Sequence, residues 1–148
     1  MLSLLLIYPF WIGMMAVHEL GHVIGATATG GTILDVRIPL IGFSQTDVHP
    51  NPSPRVEVWC GPVIGAIFPI GLWLALFRTR ARTILHAFAG WCLIVNGVYL
   101  GVGWVYHVGD AGELVRLGTP VALLIAFGVV STASGLCLWH LLERPHER

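Results

Sequence analysis

The sequence predicts an all-α membrane protein, in which four transmembrane helices form a single domain and a small β-hairpin joins the first two. Of the 148 residues, 55% are hydrophobic and only 11% are charged, whereas a soluble domain has roughly 25% charged residues. Four apolar stretches approach the roughly 20 residues that a helix needs to cross a bilayer. A period-two pattern follows the first of them and favours strands.

The four predicted spans cover most of the single domain, which is taken as residues 1–148. They lie at about 2–28, 58–77, 84–106 and 121–142. A tryptophan lies near an end of each span, where interfacial aromatic side chains are expected: Trp11, Trp59, Trp104 and Trp139. The protein is therefore expected to be a multi-pass integral membrane protein whose surroundings are the lipid bilayer.

A short segment after the first span has strand periodicity. Its apolar residues recur at every second position between residues 32 and 40: Leu34, Val36, Ile38 and Leu40. Gly42 permits a turn, and residues 43–48 can return as a second strand, which together predict a hairpin. Residues 55–58 are predicted as a further short strand leading into the second span.

The charges give no sign of a nucleic-acid partner. The formal net charge is zero, and all eight basic residues are arginine, because the chain has no lysine. Nucleic-acid binding domains generally carry a basic patch or stripe. We therefore expect the chain to bind no nucleic acid.

The most specific motif is His18-Glu19-Leu20-Gly21-His22, which has the form H-E-x-x-H inside the first span. On a helix the two histidines lie one turn apart on the same face, where they can hold one zinc ion. Glu19 lies beside them and can take a proton from a water molecule at the metal. The alternative is a polar packing cluster, but ionisable groups at membrane depth cost about 3 kcal/mol each and are functional by default.

The sequence offers several candidates for the third zinc ligand. A pattern with a third histidine at position 28 is excluded, because residue 28 is Ala28. Six other side chains have suitable donor atoms: Asp47, His49, Asn96, His107, Asp110 and Glu113. We favour Asp110, because its Gly-Asp-Ala-Gly context permits a turn with close backbone approach, and Glu113 and His107 remain open.

Together these features resemble the site-2 proteases, which are intramembrane zinc metalloproteases. The resemblance covers most of residues 10–118: the H-E-L-G-H motif, Gly30-Gly31 before strand-like residues, the Gly-Pro-x-x-Gly opening of the second span, and an aspartate after the third. It implies that His18 and His22 bind zinc and that Glu19 is the catalytic acid and base. It further implies Asp110 as the third ligand, a hairpin beside the site, and a bacterial cell membrane as location.

One part of the sequence departs from the family pattern. The family often places an asparagine, which is here a candidate substrate-binding residue, about two turns before its aspartate. Asn96 is fourteen residues before Asp110, no proline intervenes, and Ala111 replaces a glycine. Either the chain bends back after Gly103, or Asn96 is not a site residue.

The predicted function is hydrolysis of a peptide bond in a membrane-anchored protein. Two alternatives remain. One is a non-enzymatic membrane zinc-binding protein, such as a sensor, an accessory protein or an inactive relative, which would need both histidines but not Glu19. The other is a membrane hydrolase that acts on a lipid or a non-peptide amide.

Overall fold

The computed structural model describes residues 2–143, with side chains for residues 6–142. Met1 and residues 144–148 of the predicted domain lie outside this part of the chain. Five helices and two strands follow one another in this order: α1 (Leu2–Ala28), β1 (Ile33–Arg37), β2 (Gln45–Val48), α2 (Pro54–Ala75), α3 (Arg82–Gly103), α4 (Gly109–Arg116) and α5 (Val121–Glu143). The predicted class is confirmed in its main feature, a helical protein with one hairpin between its first two long helices.

Three helices, and not the predicted four, are long and apolar enough to cross a membrane within the described residues: Pro54–Ala75, Arg82–Tyr106 and Val121–Leu142. By length and composition these three are consistent with a membrane protein. The first helix has 27 residues, but its second half carries His18, Glu19 and His22. These polar groups lower its hydropathy, and the side chains of its first residues lie outside the description.

The backbones of α1 and α2 approach each other closely because glycines line their contact. A Cβ atom at Gly21 would lie 2.8 Å from Gly61 Cα, and one at Gly25 would lie 2.9 Å from Glu57 Cα. Small residues allow this approach between membrane helices. The prediction of a strand at residues 55–58 is wrong, because α2 already begins at Pro54, and proline suits the first position of a helix.

The hairpin lies along α1. Its antiparallel strands pair Ile33 with Val48 and Arg37 with Gln45, so both strands are shorter than the predicted segments. The turn between them reaches the N-terminal half of α1, where the Tyr8 hydroxyl donates a hydrogen bond of 3.0 Å to the carbonyl oxygen of Leu40. The hairpin therefore extends along α1 past the level of the H-E-x-x-H motif.

The chain bends back after α3, which is one of the two alternatives that the spacing of Asn96 and Asp110 left open. A 3-10 turn, Trp104–Tyr106, follows Gly103, and Gly109 adopts a positive φ of 54°, a conformation that costs glycine little. The short helix α4 then folds against the end of α3; the sequence analysis did not predict this helix. The reversal brings the first turn of α4 towards α1.

The last helix, α5, packs mainly on α3. A Cβ atom at Gly128 would lie 2.6 Å from Gly101 Cα. Two side chains also cross this contact: Ser131 Oγ donates to the carbonyl oxygen of Leu93 at 2.8 Å, and Trp139 Nε1 donates to that of Ala87 at 2.9 Å. The role of α5 is thus to support α3, which in turn faces the site.

Candidate metal centre

The two histidines of the motif point at a common position from one face of α1. Both are buried, and their Nε2 atoms are 3.2 Å apart. A helix brings residues four apart onto the same face, so this arrangement follows directly from the spacing of His18 and His22.

Asp110 completes a possible metal-binding triad with these histidines. Its Oδ2 atom lies 2.8 Å from His18 Nε2 and 3.4 Å from His22 Nε2. The first turn of α4 carries this carboxylate, and the backbone N–H of Asp110 donates a hydrogen bond of 2.8 Å to the Tyr99 hydroxyl. Burial alone would raise the pKa of Asp110, but the hydrogen bonds with His18 and His22 outweigh it and hold the pKa below its usual value.

Both imidazoles use Nδ1 for a hydrogen bond on the side away from the triad. His18 Nδ1 donates to Asn96 Oδ1 at 2.8 Å, and His22 Nδ1 donates to Glu57 Oε1 at 2.7 Å. An imidazole that carries its proton on Nδ1 presents a lone pair at Nε2. Two such lone pairs and a carboxylate oxygen repel one another unless a positive charge, either an extra proton or a metal ion, lies among them.

Two of the three separations between the donor atoms are close to those around a small tetrahedral cation. Ligands about 2.0–2.2 Å from a tetrahedral zinc ion are roughly 3.3–3.6 Å apart. The distances from His22 Nε2 to His18 Nε2 and to Asp110 Oδ2 are 3.2 and 3.4 Å, while the contact between His18 and Asp110 has hydrogen-bond length. Two imidazoles and one carboxylate also form a donor set that zinc accepts.

Asn96 lies against His18. Its Nδ2 donates to the carbonyl oxygen of Cys92 at 2.9 Å, so the amide presents Oδ1 to the imidazole. Asn96 is 1% exposed. Both Asn96 and Asp110 contact His18 because the chain turns back between them; the predicted substrate-binding role of Asn96 stays a prediction.

Glu19 faces a cavity of about 800 Å³ beside the triad. Thr46 of β2 donates a hydrogen bond of 2.5 Å to Glu19 Oε2, and Glu19 does not belong to the triad. The cavity walls also include His18 and Asp110, with aromatic side chains around them: Trp11, Phe43, Trp91 and Tyr99. A carboxylate outside the triad, two of the triad side chains and an apolar space therefore share one cavity.

The other proposed third ligands lie elsewhere. Glu113 forms a salt bridge with Arg116, and its Oε2 accepts from Arg116 Nε at 2.7 Å. This hydrogen bond lowers the pKa of Glu113. His107 and His49 are exposed, and Asp47 lies 3.7 Å from Arg37 in the hairpin. Within the described side chains, His18, His22 and Asp110 form the only triad of this kind.

Three further residues contact the site without having been predicted from the sequence: Thr46, Glu57 and Tyr99. Glu57 had one detectable signal, because it is an acidic residue at the start of an otherwise apolar segment. Thr46 and Tyr99 have ordinary sequence surroundings, and only their contacts with Glu19 and Asp110 single them out.

No protein-family model, curated protein or solved structure matches this chain. The resemblance to the site-2 proteases therefore depends on the residues and spacings of the sequence itself.

Proposed function

We propose that this protein is an intramembrane zinc metalloprotease that hydrolyses a peptide bond in a membrane-anchored protein. The observation that carries the proposal is the convergence of His18 Nε2, His22 Nε2 and Asp110 Oδ2 within 3.4 Å of one another, beside a cavity that also contains Glu19. This combines a donor set for one zinc ion with a separate carboxylate that can transfer protons.

The residues of the site divide the chemistry between them. His18, His22 and Asp110 would hold the zinc ion, which supplies a Lewis acid that polarises a carbonyl group and makes water more acidic. Glu19 accepts the proton of the attacking water and then donates it to the leaving amine. The hydrogen bond from Thr46 holds the Glu19 carboxylate in place for both transfers.

We further propose that α1 is the fourth membrane span. From Tyr8 to Ala28 it covers 21 residues, or about 30 Å of helix, which matches the hydrocarbon core of a bilayer. The hairpin turn beside it exposes three large apolar side chains, Leu40 at 71%, Ile41 at 92% and Phe43 at 79%. Such side chains are better placed against lipid than against water.

The cavity indicates what kind of substrate segment it accepts. A helix hides its carbonyl groups in its own hydrogen bonds, so the scissile segment must be extended when it is cut. Gln45 and Thr46 of β2 and the preceding Ser44 line the cavity. Within the described residues β2 pairs only with β1, and the other edge of such a strand can hold an extended peptide by strand addition. The lining of the cavity therefore favours β2, and not residues 32–40, as the strand that holds the substrate.

The position of Glu19 favours an enzyme over a zinc sensor or an accessory protein. A binding protein needs the triad alone and gains nothing from a buried acid beside it, since a charged carboxylate is costly to bury even when it accepts a hydrogen bond from Thr46. Glu19 is 2% exposed. Its retention in the cavity is explained if it acts on a substrate.

The test combines a zinc measurement with a cleavage assay on detergent-purified protein and labelled membrane peptides. Wild-type protein should contain one zinc and cleave the peptides, and 1,10-phenanthroline should stop cleavage. Glu19→Gln removes the base but leaves the triad, so zinc should remain while kcat falls by about two to four powers of ten. Normal cleavage by Glu19→Gln would contradict the assigned role, and zinc binding without any cleavage would favour the non-enzymatic alternative.

A further inference from the structure

We infer that Glu57 is a positioning residue of the metal centre, whose carboxylate orients His22 and balances the charge of the bound cation. This inference rests on the proposed function, because it assumes that the triad holds a divalent metal ion. It concerns a residue that neither the H-E-x-x-H motif nor its spacing indicates.

Glu57 holds His22 from the side opposite the triad. The residue lies in the first turn of α2 and is 5% exposed. Its Oε1 accepts from His22 Nδ1 at 2.7 Å, and its backbone carbonyl oxygen lies 3.2 Å from the same nitrogen. Asn51 Nδ2 donates to the second carboxylate oxygen at 3.3 Å, so both oxygens of Glu57 have partners.

This contact sets the tautomer of His22. With its proton on Nδ1, the imidazole can present only Nε2 to the triad. Metal-bound histidines commonly donate their other N–H to a carboxylate or a carbonyl group, which fixes the ring and makes it a stronger ligand. Glu57 offers His22 both kinds of acceptor.

Glu57 is not placed to transfer protons to a substrate in the cavity. It does not belong to the residues that line the cavity, whereas Glu19 does. Its carboxylate is engaged by His22 and Asn51 on the α1–α2 contact. Glu57 therefore acts through His22 and not on a substrate.

The two histidines have acceptors of different charge, and this difference points to a divalent cation. His18 donates to the neutral amide of Asn96, while His22 donates to the Glu57 carboxylate. Glu57 and Asp110 together bring two negative charges against the two imidazoles, which favours a divalent over a monovalent cation. The Glu19 carboxylate adds a third negative charge beside the triad.

The alternative is a merely structural role, in which Glu57 and His22 only hold α1 against α2. Glycines already allow this approach: a Cβ atom at Gly25 would lie 2.9 Å from Glu57 Cα, and one at Gly61 would overlap the His22 imidazole. A structural pair would affect the stability of the metal-free protein. A positioning residue would in addition affect metal affinity and the geometry around the metal.

The experiment measures zinc affinity by chelator competition for full-length wild-type protein, Glu57→Gln and Glu57→Ala. Glu57→Ala should bind zinc about 10- to 100-fold more weakly. Glu57→Gln keeps an acceptor for His22 Nδ1 but loses the charge, so its affinity should be intermediate. Glu113→Gln is the matched control, because it removes a carboxylate that pairs with Arg116 outside the site, and its affinity should equal that of wild type.

Two further readouts separate positioning from packing. Cobalt(II) replaces zinc in such sites, and its visible absorption bands should shift in both Glu57 variants but not in Glu113→Gln. Thermal unfolding of the metal-free proteins identifies any variant that is misfolded. If Glu57→Ala is misfolded, the affinity and spectrum of the more conservative Glu57→Gln decide the outcome.

The outcomes distinguish this inference from the function on which it rests. If wild-type protein binds neither zinc nor cobalt, the proposed metal centre is wrong and the inference falls with it. If wild type binds metal and both Glu57 variants show unchanged affinity and cobalt spectra, only the role of Glu57 is overturned. Equal losses in metal-free stability without any change in affinity would assign Glu57 to packing alone.

Discussion

Each imidazole of the site has its Nδ1 in a hydrogen bond and its Nε2 turned towards Asp110. Asn96 and Glu57 are the acceptors, and both are buried. If the acceptor is removed, the imidazole ring is free to turn or to change tautomer. The shape of the triad therefore depends on residues that do not belong to it.

Asp110 and Glu113 provide the sharpest comparison between single residues, because they lie one helical turn apart on α4. Asp110→Asn replaces an anionic oxygen of the triad by a neutral amide, so zinc affinity should fall by about tenfold or more and cleavage should be lost. Glu113→Gln removes only the salt bridge with Arg116, and an exposed pair of this kind contributes little to stability. Its zinc content and cleavage rate should stay near wild type.

Zinc titration of the two purified variants decides between them. If Glu113→Gln loses the metal and Asp110→Asn keeps it, then the ligand is Glu113 and α4 is placed one turn out of register.

Helix α2 affects the site through its closeness to α1. Gly61 lies against the His22 imidazole, whereas Gly71 on the same helix has open space where a Cβ atom would be. A glycine-to-alanine substitution therefore places its new methyl group against an imidazole at Gly61 and in open space at Gly71.

Gly61→Ala should weaken zinc binding by about tenfold or more, because the new methyl group displaces the imidazole or separates the helices. Gly71→Ala should leave zinc affinity unchanged and should not lower the unfolding temperature, since alanine is about 1 kcal/mol better than glycine within a helix. Chelator competition and thermal unfolding check both variants. Wild-type affinity in Gly61→Ala would mean that the close contact of the helices does not position His22.

The placement of the chain in a membrane is a property of the whole molecule. Helix α2 separates the hairpin side from the arginine-containing turn at residues 76–81, and it is long and apolar enough to span a bilayer. Ser53 and Thr79 lie just outside its two ends. Labels at these two positions therefore report whether α2 crosses the membrane.

Ser53→Cys and Thr79→Cys should be labelled from opposite sides of the membrane by a reagent that cannot cross it. The measurement needs a background without the three native thiols, which are Cys60, Cys92 and Cys137. Permeabilised cells provide the control, since both positions should then react. Labelling of both positions from the same side in intact cells would mean that α2 does not span the membrane.

The local features of this protein could be predicted from the sequence. Long apolar stretches predicted the four long helices, and alternation predicted the hairpin, because side-chain burial repeats with the period of each element. The spacing of His18 and His22 predicted that they share a helix face for the same reason. The helical content of residues 55–58 was missed, since a proline can precede a strand or begin a helix.

Only the tertiary structure decided which residues surround the histidines. Asp110 is 92 residues from His18 along the chain, and the sequence left Glu113 and His107 open because a turn of unknown shape lies between α3 and α4. The reversal after Gly103 distinguishes the three candidate ligands. It brings Asp110 to the histidines, pairs Glu113 with Arg116 and leaves His107 exposed. Glu57 likewise lies beside His22 because α1 and α2 pack together. Such contacts depend on how distant segments pack, which no local period encodes.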